Sequence, residues 1–96
     1  MDKLRNESTD LLFESILTLK SVDECYSFFE DICTIKEIQS IAQRVVVAKM
    51  LTEGSVYSDI VEATGASTAT ISRVNRSLNY GSDGYKIAFK RLEEQK

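Results

Sequence analysis

The sequence contains no proline and only four glycines in 96 residues. Sandwiches and barrels need turn residues between many short strands, so this scarcity excludes a β-rich plan and favours helices joined by short turns. The one β-branched run, Val45-Val46-Val47, sits inside a longer helical period. Histidine is also missing, which removes the commonest general base and nitrogen ligand. The two cysteines, Cys25 and Cys33, cannot complete a zinc site alone. Their spacing on a helix corresponds to about 12 Å, too far for a disulfide, and they read as small buried hydrophobes. No apolar run reaches membrane length. The early segment LLFESILTL is broken by Glu14 and lacks a cleavage-type end, so no signal peptide is read and the expected location is cytoplasmic.

What is present is a modest core's worth of apolar residues, 43% of the chain, and a lopsided charge. The net charge is −3, but residues 1–31 hold eight acids and three bases, whereas residues 65–96 hold three acids and six bases. A net acidic protein can still carry a basic face, and position decides what that face attracts.

Caps and apolar period predict five or six helices. Leu11, Leu12, Ile16 and Leu19 recur at helical spacing over about 8–20, with Phe13 and Leu17 widening the stripe. Ser21-Val-Asp-Glu24 and Thr34-Ile-Lys-Glu37 have capping-box form, opening helices to about Ile32 and about Glu53. Cys25, Phe28, Phe29 and Ile32 should face inward on the first; Ile38, Ile41, Val45, Ala48 and Leu51 on the second. Gly54 stops the long helix. A short helix follows from Ser55 or Ser58, with Ile60, Val61 and Ala63 as its apolar part, and Gly65 ends it. Ser67 caps a helix from Thr68 to about Leu78. After the turn cluster 80–84, a last helix over about 84–95 starts at Ser82 or Asp83 and buries Tyr85, Ile87, Ala88 and Leu92. The apolar first two helices have little to pack against in a monomer of this size, which points to a shared dimer core.

Short helix, glycine-led turn and second helix make a helix-turn-helix. In the second helix Ile71, Val74 and Leu78 mark the inward face, leaving Thr68, Ala69, Ser72, Arg73 and Arg76 outward. Small hydroxyl and methyl groups at the leading end let a backbone approach base edges in a major groove about 12 Å wide, while arginines further along reach phosphate or guanine. The same geometry also serves as a plain packing unit, and Ser67 and Thr68 also suit capping alone.

The run RVVVAKMLTEGSVYSDIVEATGASTATISRVNRSLN, residues 44–79, resembles the DNA-binding core of the Trp repressor (TrpR) family. Its most specific part is GASTATISR, and CTIKE and the final helix are of the same type. The whole chain is similar to the short TrpR-related proteins of the YerC/YecD group. The resemblance implies an all-α, intertwined homodimer in a single domain spanning 1–96. In that plan residues 1–33 form dimerisation helices, 34–79 the core with its helix-turn-helix at about 56–79, and 84–96 the last helix. It implies two half-sites about 34 Å apart on a palindromic operator in double-stranded DNA. By position, Ser67, Thr68, Ala69 and Ser72 match family residues that approach bases, and Asn79 stands where the family has a phosphate-facing lysine. The helix before the turn offers Tyr57, Ser58 and Val61 in place of the family's arginine, glutamine and lysine. Fewer cations there imply weaker non-specific binding.

The resemblance also implies an effector pocket built by Thr34, Arg44, Arg73 and Ser77, with Val74 where the family has the glycine that admits an indole. A branched side chain there costs about 1–3 kcal/mol in overpacking, so tryptophan is not the expected corepressor; the pocket is either filled by Val74 or takes a smaller ligand. No metal, membrane or other cofactor is expected. The reading is therefore a homodimeric, sequence-specific transcription regulator, a repressor by family. The alternative is a helix-turn-helix module that grips a protein, to which the acidic first third lends itself. An enzyme has no support: there is no histidine, no phosphate-cradling glycine loop, and the Ser and Asp residues are explained by caps and turns.

Overall fold

A computed structural model describes residues 3–96 of the chain. Its elements are six helices: α1 (Glu7–Leu17), α2 (Val22–Ile32), α3 (Ile35–Thr52), α4 (Tyr57–Thr64), α5 (Thr68–Tyr80) and α6 (Gly84–Glu94). There is no strand among the described residues, so the fold is all-α. The chain divides into two compact units, one ending at Ile35 and the other beginning at Lys36.

In the first unit, Asn6 rather than a serine caps α1, its side chain accepting from the Thr9 N–H at 2.8 Å. The helix closes earlier than its apolar period predicts. Thr18 and Leu19 donate to the Ser15 and Ile16 carbonyls, each at 3.1 Å, tightening the last turn three residues apart. Ser21 caps α2 as expected, accepting from the Glu24 N–H at 3.1 Å. The Glu24 carboxylate reaches back to the Lys20 N–H at 2.8 Å, one residue beyond the usual return of a capping box. No residue of either helix is buried; Leu17 is 83% exposed.

The second unit holds the core: Val47 and Ala48 from α3, Ile60 from α4, Ala66 from the following turn, and Ile71, Val74 and Leu78 from α5. Met50, Leu51, Tyr57, Tyr85 and Phe89 flank it. The long helix α3 carries apolar residues on two faces. The apolar period predicts Ile38, Ile41, Val45, Ala48 and Leu51 inward, but the core-facing row is Val47, Ala48 and Leu51, while Ile41 and Val45 stay 47% and 42% exposed. A run of three valines fits either face by period alone; packing against α4 and α5 picks Val47.

Gly54 ends α3 with a left-handed backbone, φ 85°. Its N–H donates to the Leu51 carbonyl at 3.1 Å and that of Ser55 to Met50 at 3.0 Å, the paired bonds of a Schellman stop. Neither Ser55 nor Ser58 caps α4; its N-cap is Val56, without a side-chain bond. Similarly, α6 begins after Asp83, which has φ 64° and no side-chain cap bond; its carboxylate meets the Lys86 ammonium at 3.7 Å instead. Along α6, Tyr85 and Phe89 lie one turn apart with ring centroids at 6.0 Å, and Lys49 stands 5.4 Å over the Phe89 ring. The expected Ile87, Ala88 and Leu92 are exposed, because the core takes the Tyr85–Phe89 row.

Candidate nucleic-acid interface

The turn between α4 and α5 is three residues, Gly65-Ala66-Ser67, and each has a task. Gly65 adopts φ 73° and its N–H closes on the Val61 carbonyl at 2.8 Å. Ala66 is buried in the core, 2% exposed, where a larger side chain would crowd the cluster. Ser67 caps α5 by accepting from the Thr70 N–H at 3.1 Å and donating its hydroxyl to Thr70 Oγ1 at 3.1 Å. Thr64 ties the turn back on itself: its hydroxyl donates to the Ile60 carbonyl at 2.7 Å and accepts from the Ala66 N–H at 3.1 Å. From α3, Gln43 Nε2 donates to the Thr64 carbonyl at 3.1 Å.

With its inward row buried, α5 displays the rest of its surface. Thr68, Ala69, Ser72, Arg73, Arg76 and Asn79 are all exposed, as is Ser67 before them. Taken at 3.6 residues per turn, Thr68, Ser72, Arg76 and Asn79 form one stripe, with Ala69 and Arg73 beside it. The Arg73 and Arg76 guanidiniums join no ion pair among the described residues. Two members of the predicted set are already engaged. The Ser67 hydroxyl works as the cap, and Asn79 Nδ2 donates to the Asn75 carbonyl at 2.9 Å and to Asn75 Oδ1 at 3.2 Å. The free groups of the stripe are therefore the Thr68 and Ser72 hydroxyls, the Ala69 methyl and two guanidiniums. Hydroxyls and a methyl can meet base edges; the guanidiniums and the helix N-terminus suit phosphate.

Beside this surface lies a cleft of about 310 Å³ between α3, α5 and α6. It brings together Arg44, Arg73, Val74 and Ser77, all in the predicted effector set, with Ser40, Gln43, Thr70 and Tyr85. Arg44 Nη2 donates to Ser40 Oγ at 3.2 Å, one turn back on α3. Val74 is 2% exposed and belongs to the core cluster, so the cleft meets the core at this residue. Thr34 lies in the other unit, just before α3. Sequence reasoning missed the polar rim supplied by Ser40, Gln43 and Thr70. Ser40 and Arg44 sit four apart and continue the row of Val47 and Ala48 towards the N-terminus, a pattern visible in the sequence once the core face is known. Among the described residues no group of metal-ligating side chains comes together, and no helix is long and apolar enough to cross a membrane.

Comparison with known proteins agrees with this geometry. The uncharacterized protein YerC of Bacillus subtilis (strain 168) is 61% identical over 94 residues, covering 98% of this chain and 90% of that protein. The crystal structure of a TrpR like protein from Eubacterium eligens ATCC 27750 superposes with a TM-score of 0.94 at 61% identity, covering 97% of this chain and 96% of that one. The Trp repressor protein family model matches residues 7–93. A chain matched over nearly all its length, with the turn, cap and open helix face described above, belongs to the Trp repressor family, whose members are DNA-binding regulators rather than enzymes.

Proposed function

We propose that this chain is a sequence-specific transcription repressor that binds a palindromic operator as a homodimer, with α5 entering the major groove of double-stranded DNA. The observation that carries the reading is the division of α5: Ile71, Val74 and Leu78 are buried on one side, while Thr68, Ala69, Ser72, Arg73 and Arg76 are all exposed on the other. Thr68, Ala69 and Ser72 meet bases, and Arg73 and Arg76 meet phosphate or guanine. Ser67 acts through its cap, fixing the first turn that approaches the groove.

The homodimer is supported by apolar surface that a lone chain leaves in water. Leu11, Phe13, Leu17, Val22 and Ile35 are at least half exposed, and Ile41 and Val45 form a second apolar row on α3. Covering such side chains removes apolar area from water, a driving force of about 25 cal/mol per Å² that is set against the freedom lost when two chains associate. Operator binding is independent of tryptophan: Val74 forms part of the inner wall of the Arg44–Arg73 cleft, at the position where the family has the glycine that admits an indole. The cleft either serves no effector or takes one smaller than tryptophan.

Titration of a fluorescent duplex at increasing salt tests the reading. Binding through arginines and helix termini weakens steeply with salt, by counterion release. The competing reading is a helix-turn-helix module whose same surface grips a protein partner, which the acidic first third suits, and it predicts no salt-dependent duplex binding at all.

A further inference from the structure

We infer that Tyr80 is a further DNA-backbone contact, donating its phenol hydroxyl to a phosphate at the far end of α5; this rests on the reading of α5 as the recognition helix. Tyr80 is the last residue of α5 and is 87% exposed, and its ring stacks on no other ring among the described residues. It follows Arg76 by four positions and Arg73 by seven, so it lies on the same displayed arc, one and two turns further along. Twelve residues separate it from Thr68, a rise of about 18 Å, which exceeds the groove width of about 12 Å. When the leading turn of the helix sits at the bases, its last turn lies at the flanking sugar–phosphate strand.

Two neighbours leave that role to Tyr80. Asn79 directs its amide nitrogen to Asn75, at 2.9 Å and 3.2 Å, so its side-chain donor is already engaged within the helix. Gly81 then turns the chain away. Its N–H donates to the Ser77 carbonyl at 2.9 Å, and a Cβ at this position would run into that same carbonyl oxygen. The backbone therefore leaves the arc immediately after Tyr80 and does not shield the phenol. Together, Arg76 and Tyr80 present a cationic and a neutral donor one turn apart. Tyrosine hydroxyls serve as phosphate donors, and such contacts set position and not sequence.

The neutral donor has its own signature. A side chain without charge releases no counterion, so losing it lowers affinity without changing the salt slope, whereas losing an arginine flattens the slope by about 1. The test is fluorescence anisotropy of Tyr80→Phe, Tyr80→Ala and Arg76→Ala on a duplex that the unaltered protein binds, with dimer mass followed by sedimentation. Tyr80→Phe and Tyr80→Ala are expected to weaken binding on the order of tenfold at every salt concentration and on every sequence, with parallel slopes and an intact dimer. Affinity equal to that of the unaltered protein, a changed slope, or dissociation of the Tyr80→Ala dimer would each overturn the inference. Failure of the unaltered protein to bind any duplex would contradict the parent reading as well, and is visible before any variant is compared.

Discussion

Gln43 on α3 donates to the carbonyl of Thr64, the last residue of α4, at 3.1 Å across 21 positions of chain. This bond ties the long helix to the entrance of the turn that aims α5. Gln43→Ala leaves a partly buried carbonyl without its donor, and a loss of about 1–2 kcal/mol is expected. Urea unfolding of the two proteins measures it; an unchanged midpoint would mean that water replaces the amide without loss.

Gly65 separates backbone strain from crowding. Its φ is 73° and a Cβ there would touch nothing within 4 Å, so Gly65→Ala suffers only the left-handed penalty, about 1–2 kcal/mol. Gly65→Asn should recover part of it, since asparagine tolerates that region. Equal losses for the two variants in denaturant titrations would place the cause in packing and not in φ.

Much of this architecture is legible in the sequence because the signals are local. Ser21, Gly54, Gly65 and Ser67 each act within a few residues of themselves, and each does what its spacing implies. The start at Val56 rests on backbone conformation alone and has no side-chain signal, whereas Asp83, one of the two starts the sequence offers for α6, is its N-cap although its side chain makes no cap bond. The inward face of α3 is not legible at Ile41 and Val45, because an element with two apolar faces gives its period no unique phase. The outward residues of α5 were legible, since three apolar positions fix the opposite side. That Ser67 and Asn79 are engaged within the chain depends on rotamers that no pattern records.

Ala69 is exposed beside Ser72 at the leading end of α5. Ala69→Glu adds bulk and a charge that repels phosphate, so operator binding should vanish while helix content and dimer mass persist. Normal binding by this variant would mean that the reading surface lies elsewhere. Arg76→Ala should weaken binding on all sequences alike and lower the salt slope by about 1.

Calorimetry with L-tryptophan should give no saturable heat, because the inner wall of the Arg44–Arg73 cleft is Val74. Val74→Gly removes that side chain at a stability loss of about 3 kcal/mol, and is the form in which indole binding should emerge. Saturable binding to the unaltered protein would overturn the tryptophan-independent reading.

Selection of bound duplexes from a random pool shows whether α5 reads a two-fold symmetric site. The expected result is an enriched palindrome with half-sites about 34 Å apart, bound by two chains per duplex and lost in Ala69→Glu. A pool that shows no enrichment, or an enriched site without two-fold symmetry, would contradict it.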